Sequence, residues 1–590
     1  MPMIDFSTLN PAQKTAVFSD HRRILCLAGA GTGKTQVLTR RVARLSQSGI
    51  PARKMLALTF TRAAGAEMKD RVISLIGDDG KDLFCNTFHA FCVNVIHENA
   101  DLIGYNPKFS IYSQDEQTML MRRVIEDLKL KITLPMMEQV RAGRGTVGAA
   151  QRRQAQTALK EYKARLRYNN AFDFDSLIEY TRELLEFPSI AEKYRDRYTH
   201  IFVDEFQDTD PVQWDLVCKI NPENLFVVGD DFQAIYGFRG SDITIILNLA
   251  QDPEWQTVKL ETNYRSTTPI IAAANSLIKH NTQTDKVLIA QKDGQEIKFS
   301  EPEDEENEII GIIPQLKQNL ADGTSTAILA RTNKQLATAR KILAANNIPC
   351  NTKTAASSPM ASTESKLLFD WIDALENPHD DAAVIRIAYQ VMSNEVINKI
   401  EAAQYKTYDG HFLRSASEIE SGKPFAEHFG NIWRFYNQQI TENTLPHEIA
   451  EMIAERLSID SLQPLIAEIE KWESKQAKLG EAITLNDFRE YARLAEISEP
   501  PPAKITTDEI NLMTVHGSKG LEFDDVIIIG ANQGVFPNKG DIEEERRLFY
   551  VAITRARERL LISSPRTINN YRGESIPTEK SQFIEELRQR

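Results

Sequence analysis

Ala28-Gly29-Ala30-Gly31-Thr32-Gly33-Lys34-Thr35 is the stretch on which the fold of this chain turns. Ile24-Leu25-Cys26-Leu27 precede it as an apolar run, and Val37, Leu38, Val42 and Leu45 follow at helical spacing. A buried strand, a glycine-rich turn and a helix start, in that order, make a P-loop. The glycines let backbone N–H groups close around a phosphate, and the new helix offers the positive end of its dipole. In such a loop Lys34 reaches the β- and γ-phosphates, while the Thr35 hydroxyl holds Mg²⁺. The strict pattern opens on Gly where this chain has Ala28.

At 590 residues the chain is long enough for several domains with substantial cores. The stretch from Met1 to Gln13 is polar and interrupted by Pro, unlike a signal peptide, and no apolar run is long enough to span a bilayer. Cys26, Cys85, Cys92, Cys218 and Cys350 form no C-x-x-C pair and read as small core residues of a reducing compartment. The expected location is the cytoplasm, with no membrane partner. A formal charge of −13 argues weakly against a polyanion ligand. Between Met121 and Asn170, however, twelve Lys/Arg face four Asp/Glu. That excess fits a confined polyanion contact or the solvated faces of helices equally well.

Outward from the loop, Leu9-Asn10-Pro11-Ala12-Gln13 reads as a helix start with a surface Gln13, whose amide has the donor and acceptor needed by an adenine edge. Met55 to Thr61 reads as a second buried strand, followed by a helix from Ala63 to Ile76. Phe84 to Phe91 sets hydroxyls and aromatics at a third strand end. The basic segment reads as two amphipathic helices, Asp115–Leu130 and Ala149–Leu166, joined through Arg141 to Gly145. The strand–helix alternation then resumes with Ile201-Phe202-Val203-Asp204-Glu205-Phe206-Gln207-Asp208. Its paired carboxylates suit a P-loop partner: Asp204 in the Mg²⁺ shell and Glu205 orienting and deprotonating the attacking water. Leu225 to Asp230 is another buried strand, opening onto Gln233-Ala234-Ile235-Tyr236-Gly237-Phe238-Arg239-Gly240. Gln233 there suits a γ-phosphate sensor.

With Leu260-Glu261-Thr262-Asn263-Tyr264-Arg265-Ser266, the order of these motifs resembles the UvrD/Rep/PcrA group of superfamily-one DNA helicases. Ala327 to Asn333, Met513 to Phe523 and Glu544 to Ala556 resemble the group's later motifs, so the likeness runs from Phe6 to about Arg559. It implies an α/β fold of two RecA-like motor domains with parallel sheets, each carrying a helical insertion. The implied boundaries are 1–105 and 171–268 for the first motor domain, with its insertion at 106–170. The second occupies 269–379 and 503–590, with its insertion at 380–502, which leaves through Glu499-Pro500-Pro501-Pro502.

The resemblance also implies ATP between the domains. Lys34, Asp204, Glu205, Gln233, Arg265 and Arg555 would form the catalytic set, with Arg555 as an arginine finger and Arg265 as a γ-phosphate contact. Gln13, Ala28 to Thr35, Tyr264 (stacked on adenine) and Glu522 (near the ribose) would complete the nucleotide site. Single-stranded DNA, or its junction with duplex, would pass Phe60, Thr87, Phe88, His89, Tyr236, Phe238, Arg239 and His516. The implied activity is 3′→5′ translocation and strand separation. The alternative from another class is a DNA-stimulated ATPase subunit working with a partner nuclease in repair or phage defence. Three departures stand out: Phe232 replaces an acidic residue and Asn86 a frequent Gly. Val391-Met392-Ser393-Asn394-Glu395 lacks the glycine-rich hairpin turn that commonly opens the second insertion.

Overall fold

Twelve strands form two six-stranded sheets, and every neighbouring pair within them is parallel. The computed structural model describes residues 4–143, 147–351, 359–407, 410–441, 443–497, 505–569 and 574–588. The first sheet contains β1 (Arg23–Ala28), β2 (Met55–Thr59), β3 (Phe84–Thr87), β6 (His200–Val203), β7 (Asn224–Gly229) and β8 (Gln256–Leu260). Its spatial order is β3-β2-β6-β7-β1-β8. These strands read as apolar runs because helices cover both faces, which is what a parallel sheet requires. Val37, Leu38 and Val42 of the helix Lys34–Gln47 and Met68 and Val72 of the helix Arg62–Ile76 close its core.

Between the sheets in sequence, β9 (Thr262–Thr267) pairs with β10 (Ile289–Lys292). The second sheet contains β11 (Lys298–Ser300), β12 (Thr326–Ala330), β13 (Cys350–Asn351), β14 (Ile510–Thr514), β15 (Phe523–Ile528) and β16 (Ala556–Ser563). Its order is β11-β16-β15-β12-β14-β13, and β17 (Thr567–Asn569) and β18 (Ser575–Pro577) form an antiparallel hairpin. The acidic run at 303–306 starts a helix, as its composition predicts: Asp304 caps Glu305–Ala321 by accepting from the Asn307 N–H. A further apolar cluster joins the two sheets, setting Ala30, Phe232 and Tyr236 against Val515, Phe549 and Tyr550. The α/β class with two parallel-sheet domains is therefore as expected.

Contacts divide the chain into two compact units, one of residues 1–87, 192–355 and 499–590 and the other of 88–191 and 356–498. Both six-stranded sheets lie in the first. The second is helical apart from a short parallel pair, β4 (Ser110–Ile111) and β5 (Ala171–Phe172). Its basic segment holds one helix more than expected, Leu134–Arg141, entered through Pro135 in its first turn. Much of the positive charge there is internally paired: Arg123 with Glu401, Arg141 with Asp173 and Asp175, Arg165 with Asp127 and Glu161. Where a glycine-rich hairpin was the point of comparison, the helix Asp381–Val391 passes through Met392 and Ser393 directly into Asn394–Thr407. The expected exit at Glu499 to Pro502 lies outside the described residues, as do Arg144 and Gly145.

Candidate active site

The carboxyl ends of β1, β6 and β7 converge on one cleft, the usual place for a ligand in an open parallel sheet. Ala28 is the last residue of β1, paired with Leu260, and is fully buried. No positive φ is needed there, which explains why Gly is dispensable. Gly31 (φ +66) and Gly33 (φ +87) do need their freedom, and a Cβ on Gly31 would lie 2.6 Å from the Cβ of Arg265. Gly33 caps the helix Lys34–Gln47 without any side-chain hydrogen bond. The first N–H groups of that helix therefore face the cleft as an anion site.

Lys34 Nζ lies 3.9 Å from Glu205 Oε2. Glu205 adopts φ +49, ψ +42, a left-handed conformation unusual for a side chain with a Cβ and typical of a functional turn. Gln207 holds it there: its Nε2 donates to Glu205 Oε2 at 2.6 Å, and its Oε1 accepts from the Asp230 N–H at 2.8 Å. Burial opposes the charge of Glu205, but Lys34, Lys519 and the Gln207 amide outweigh it and hold the carboxyl well below its usual range. Beside it, burial and the charge of Glu205 push Asp204 up. Two adjacent carboxylates at a strand end, Asp204 buried and Glu205 half-buried, are a donor set suited to a divalent cation, and Thr35 stands at the start of the helix opposite. Lys519, from the second sheet's side, forms an ion pair with the buried Asp208.

Arg555 follows the helix Ile542–Ile553 and immediately precedes β16. It is 2% exposed, with Nε on the Val551 carbonyl, Nη1 on the Leu521 carbonyl and Nη2 donating to Gln233 Oε1 at 3.1 Å. Gln233 Nε2 in turn donates to Asp230. Burial, with Arg265 nearby, pulls the Arg555 pKa down. Arg265, on β9, donates from Nε to Glu522 Oε2 at 2.6 Å and from Nη1 to the Thr554 carbonyl at 3.3 Å. The structure thus brings Lys34, Glu205, Gln233, Arg265 and Arg555 into one cleft between the two sheets of a single unit.

Comparison with known proteins accords with this arrangement. Residues 9–254 match the family described as UvrD/REP helicase N-terminal domain, and residues 258–567 match UvrD-like helicase C-terminal domain. The ATP-dependent DNA helicase PcrA of Bacillus subtilis (strain 168) is 31% identical over 641 residues, spanning 98% of this chain and 86% of the relative. PcrA of Staphylococcus aureus (strain MRSA252) is likewise 31% identical, over 633 residues with the same coverage. The chain belongs to the UvrD/Rep helicase family. It is an ATP-dependent DNA helicase of the UvrD/PcrA type.

In this UvrD/Rep helicase several expected contacts take a different form. Gln13 is 2% exposed and not on the surface. Its Oε1 accepts from the Asn10 N–H and its Nε2 donates to the Thr32 carbonyl, so it braces the phosphate loop. Tyr264 is 45% exposed and accepts from Asn10 Nδ2, leaving its ring open at the mouth. Glu522 is committed to Arg265 and Arg557. Phe238 is 59% exposed, with Arg239 over its ring and His516 edge-on at 5.6 Å. Tyr236, 1% exposed, is no free stacking face: it packs on Phe60 at 5.0 Å, under Arg239 and Lys519. An aromatic two residues from an exposed one sits on the inner side of the turn, and here it supports Phe238.

Burial also holds His516 at a pKa of about 4, so it is neutral. Thr87 and Phe88 are buried, at 6% each, which leaves them little surface for a base. His89 packs edge-on against Phe174, and burial lowers its pKa to about 4. Phe232, where the family pattern has an acid, is fully buried with Lys286 Nζ 4.0 Å above its ring, while Asp230 and Asp231 take that lysine's ion pairs. Sequence reading missed Gln207, although it stands two positions after Glu205. It missed Asn263, which ties Arg265 and Ser266 to the Ala30 carbonyl. It also missed Lys286, for which no motif gives a signal.

Proposed function

We propose that the helicase binds ATP with Mg²⁺ between its two sheets and couples hydrolysis to 3′→5′ movement along single-stranded DNA, separating strands at junctions. The observation that carries this reading is the bond from Arg555 to Gln233, which joins the second sheet's side to the first at the cleft. In this reading 1–105 with 171–268 and 269–379 with 503–590 act as motor domains, and 106–170 and 380–502 are their insertions.

The loop from Ala28 to Thr35 and the start of its helix cradle the phosphates, and Lys34 neutralises the β- and γ-groups. Thr35 and Asp204 would hold Mg²⁺, which supplies charge neutralisation on the phosphate oxygens when bound. Glu205, ionised and clamped by Gln207, orients the water and accepts its proton. Arg555 and Arg265 offset the charge that develops on the transferred phosphoryl group. Gln233 touches Arg555, and Phe238 follows it by five residues in the same segment, so a shift at the nucleotide moves the exposed ring. Phe238 stacks on a base, with Arg239 and His516 beside it and Phe60 and Tyr236 beneath, and Thr87 closes the end of β3. Gln13 and Tyr264 frame the adenine, and Glu522 borders the ribose.

The test is ATP turnover with and without single-stranded DNA, beside strand displacement on duplexes bearing a 3′ or a 5′ tail. DNA-stimulated turnover with unwinding of the 3′-tailed substrate supports the reading. Unwinding only from 5′ tails overturns the direction, and DNA-stimulated turnover with no strand separation overturns the motor role.

A further inference from the structure

Glu522 is shared between two arginines. Its Oε2 accepts from Arg265 Nε at 2.6 Å. Its Oε1 accepts from Arg557 Nε at 3.0 Å and is also in contact with Arg557 Nη2. Arg557 is itself steadied by Asp524, 3.4 Å from its Nη1, and Asp524 is fixed by the Ser325 hydroxyl and N–H. Arg555 is the turn residue just before β16, and Arg557 is the second residue of that strand. One meets Gln233 and the other holds the carboxylate behind Arg265.

We propose that Arg557 is a positioning residue for ATP hydrolysis: by holding Glu522 it fixes Arg265 and preserves the positive charge that Arg265 brings to the terminal phosphate. The inference rests on the reading of Arg265 as a phosphate contact. With Nε and Nη1 engaged, Nη2 of Arg265 is the corner with no protein partner among the described residues. The second part of the argument is charge. Arg557 draws on the same carboxylate as Arg265, so the negative charge of Glu522 is divided between two guanidinium groups and is not spent on Arg265 alone. Without Arg557, Glu522 would neutralise Arg265 alone and draw it toward the second sheet. Arg557 is 40% exposed along its side chain, so its loss leaves no buried charge unpaired in the core.

The experiment is a mutant cycle read by DNA-stimulated ATPase and by thermal melting: Arg557→Ala, Arg557→Lys, Glu522→Gln, the Arg557→Ala/Glu522→Gln pair, and Arg265→Ala. Arg557→Ala should lower kcat/KM for ATP by about three- to ten-fold with Tm nearly unchanged, and Arg557→Lys should recover part of the loss. In the Glu522→Gln background Arg557→Ala should cost much less, because the carboxylate charge through which it acts on Arg265 is gone. If turnover in that background is too slow to compare, the affinity for a fluorescent ATP analogue reads the same cycle. An equal loss in both backgrounds, or no loss in either, overturns the proposal. Full activity of Arg265→Ala overturns instead the reading of Arg265 on which it rests.

Discussion

The two six-stranded sheets have the same parallel construction and opposite duties. The first ends its strands in a glycine-rich loop and a carboxylate pair, the groups that the proposed function assigns to phosphate binding and water activation. Among the described residues the second has no such loop, and it presents Arg555 beside the cleft, together with Lys519 and the Arg557–Glu522 pair behind Arg265. Duplicating an architecture therefore does not duplicate a site. Chemistry sits where strand ends carry the right residues, and the second sheet acts by completing the first. In the proposed function such a cleft is competent only when both sides meet, which would tie hydrolysis to the relative placement of the sheets.

The strongest way to break that comparison is to disable each side separately. Lys34→Ala removes the phosphate ligand of the first side. Arg555→Ala removes the guanidinium of the second, whose share in such sites is roughly 10³–10⁵-fold in rate. Both variants should lose at least about three orders of magnitude in DNA-stimulated turnover, Arg555→Ala with ATP affinity largely kept. Turnover by Arg555→Ala within a few-fold of the parent protein would reduce the second sheet to a scaffold.

A smaller effect sharpens the first side. The Gln207 amide ties Glu205 to the end of β7, and Glu205 holds a left-handed conformation. Gln207→Leu keeps the volume and removes these bonds, together with the one from Nε2 to Asp208 Oδ2 at 3.2 Å. It should lower kcat by about 10–100-fold with KM for ATP little changed, since water activation suffers and phosphate binding does not. A raised KM at constant kcat would place Gln207 in nucleotide binding instead.

What was legible in the sequence follows the same divide. Ala28 to Thr35 and Asp204-Glu205 could be read because a phosphate loop and its carboxylate partner demand particular residues at close spacing, with apolar runs marking the strands around them; Arg555 came only through the family resemblance of its motif. Burial was not legible in the same way. Tyr236 and Phe238 look alike as letters, yet one is 1% and the other 59% exposed. The phosphate-loop brace of Gln13 and the Asp230–Lys286 pair join residues far apart in the chain, which no local pattern encodes. In the helical unit the extra helix Leu134–Arg141 was missed because eight residues with one buried side chain carry too weak a period.

Phe238→Ala tests the exposed ring. Because Phe238 already lies in solvent, its loss should leave Tm within a few degrees, unlike a core truncation at about 3–5 kcal/mol. Single-strand affinity should weaken by about 1–3 kcal/mol, with ATP binding kept and strand separation lost. A large drop in Tm with all activities falling together would make the ring structural.

The smallest effect concerns His89, which burial holds at a pKa of about 4 against an ordinary value near 6.5. At neutral pH it is uncharged and gives DNA no cation. Between those two values the unfolded chain binds a proton that the folded chain refuses, so stability falls as pH falls through this window. For one histidine the loss is about 1 kcal/mol between pH 7 and pH 5.5. His200 and His516 are also held at about 4 and add to the same acid limb, although His200 feels Arg41 and Arg44 and His516 feels Arg331, besides their burial. His89 is the cleanest probe because burial is its sole cause. The melting temperature of His89→Gln, followed from about pH 7 down to pH 5.5, should decline less steeply than that of the parent protein, with single-strand affinity at neutral pH little changed. Parallel melting curves would mean that His89 titrates normally in the fold. A marked loss of DNA affinity would return it to the strand's path.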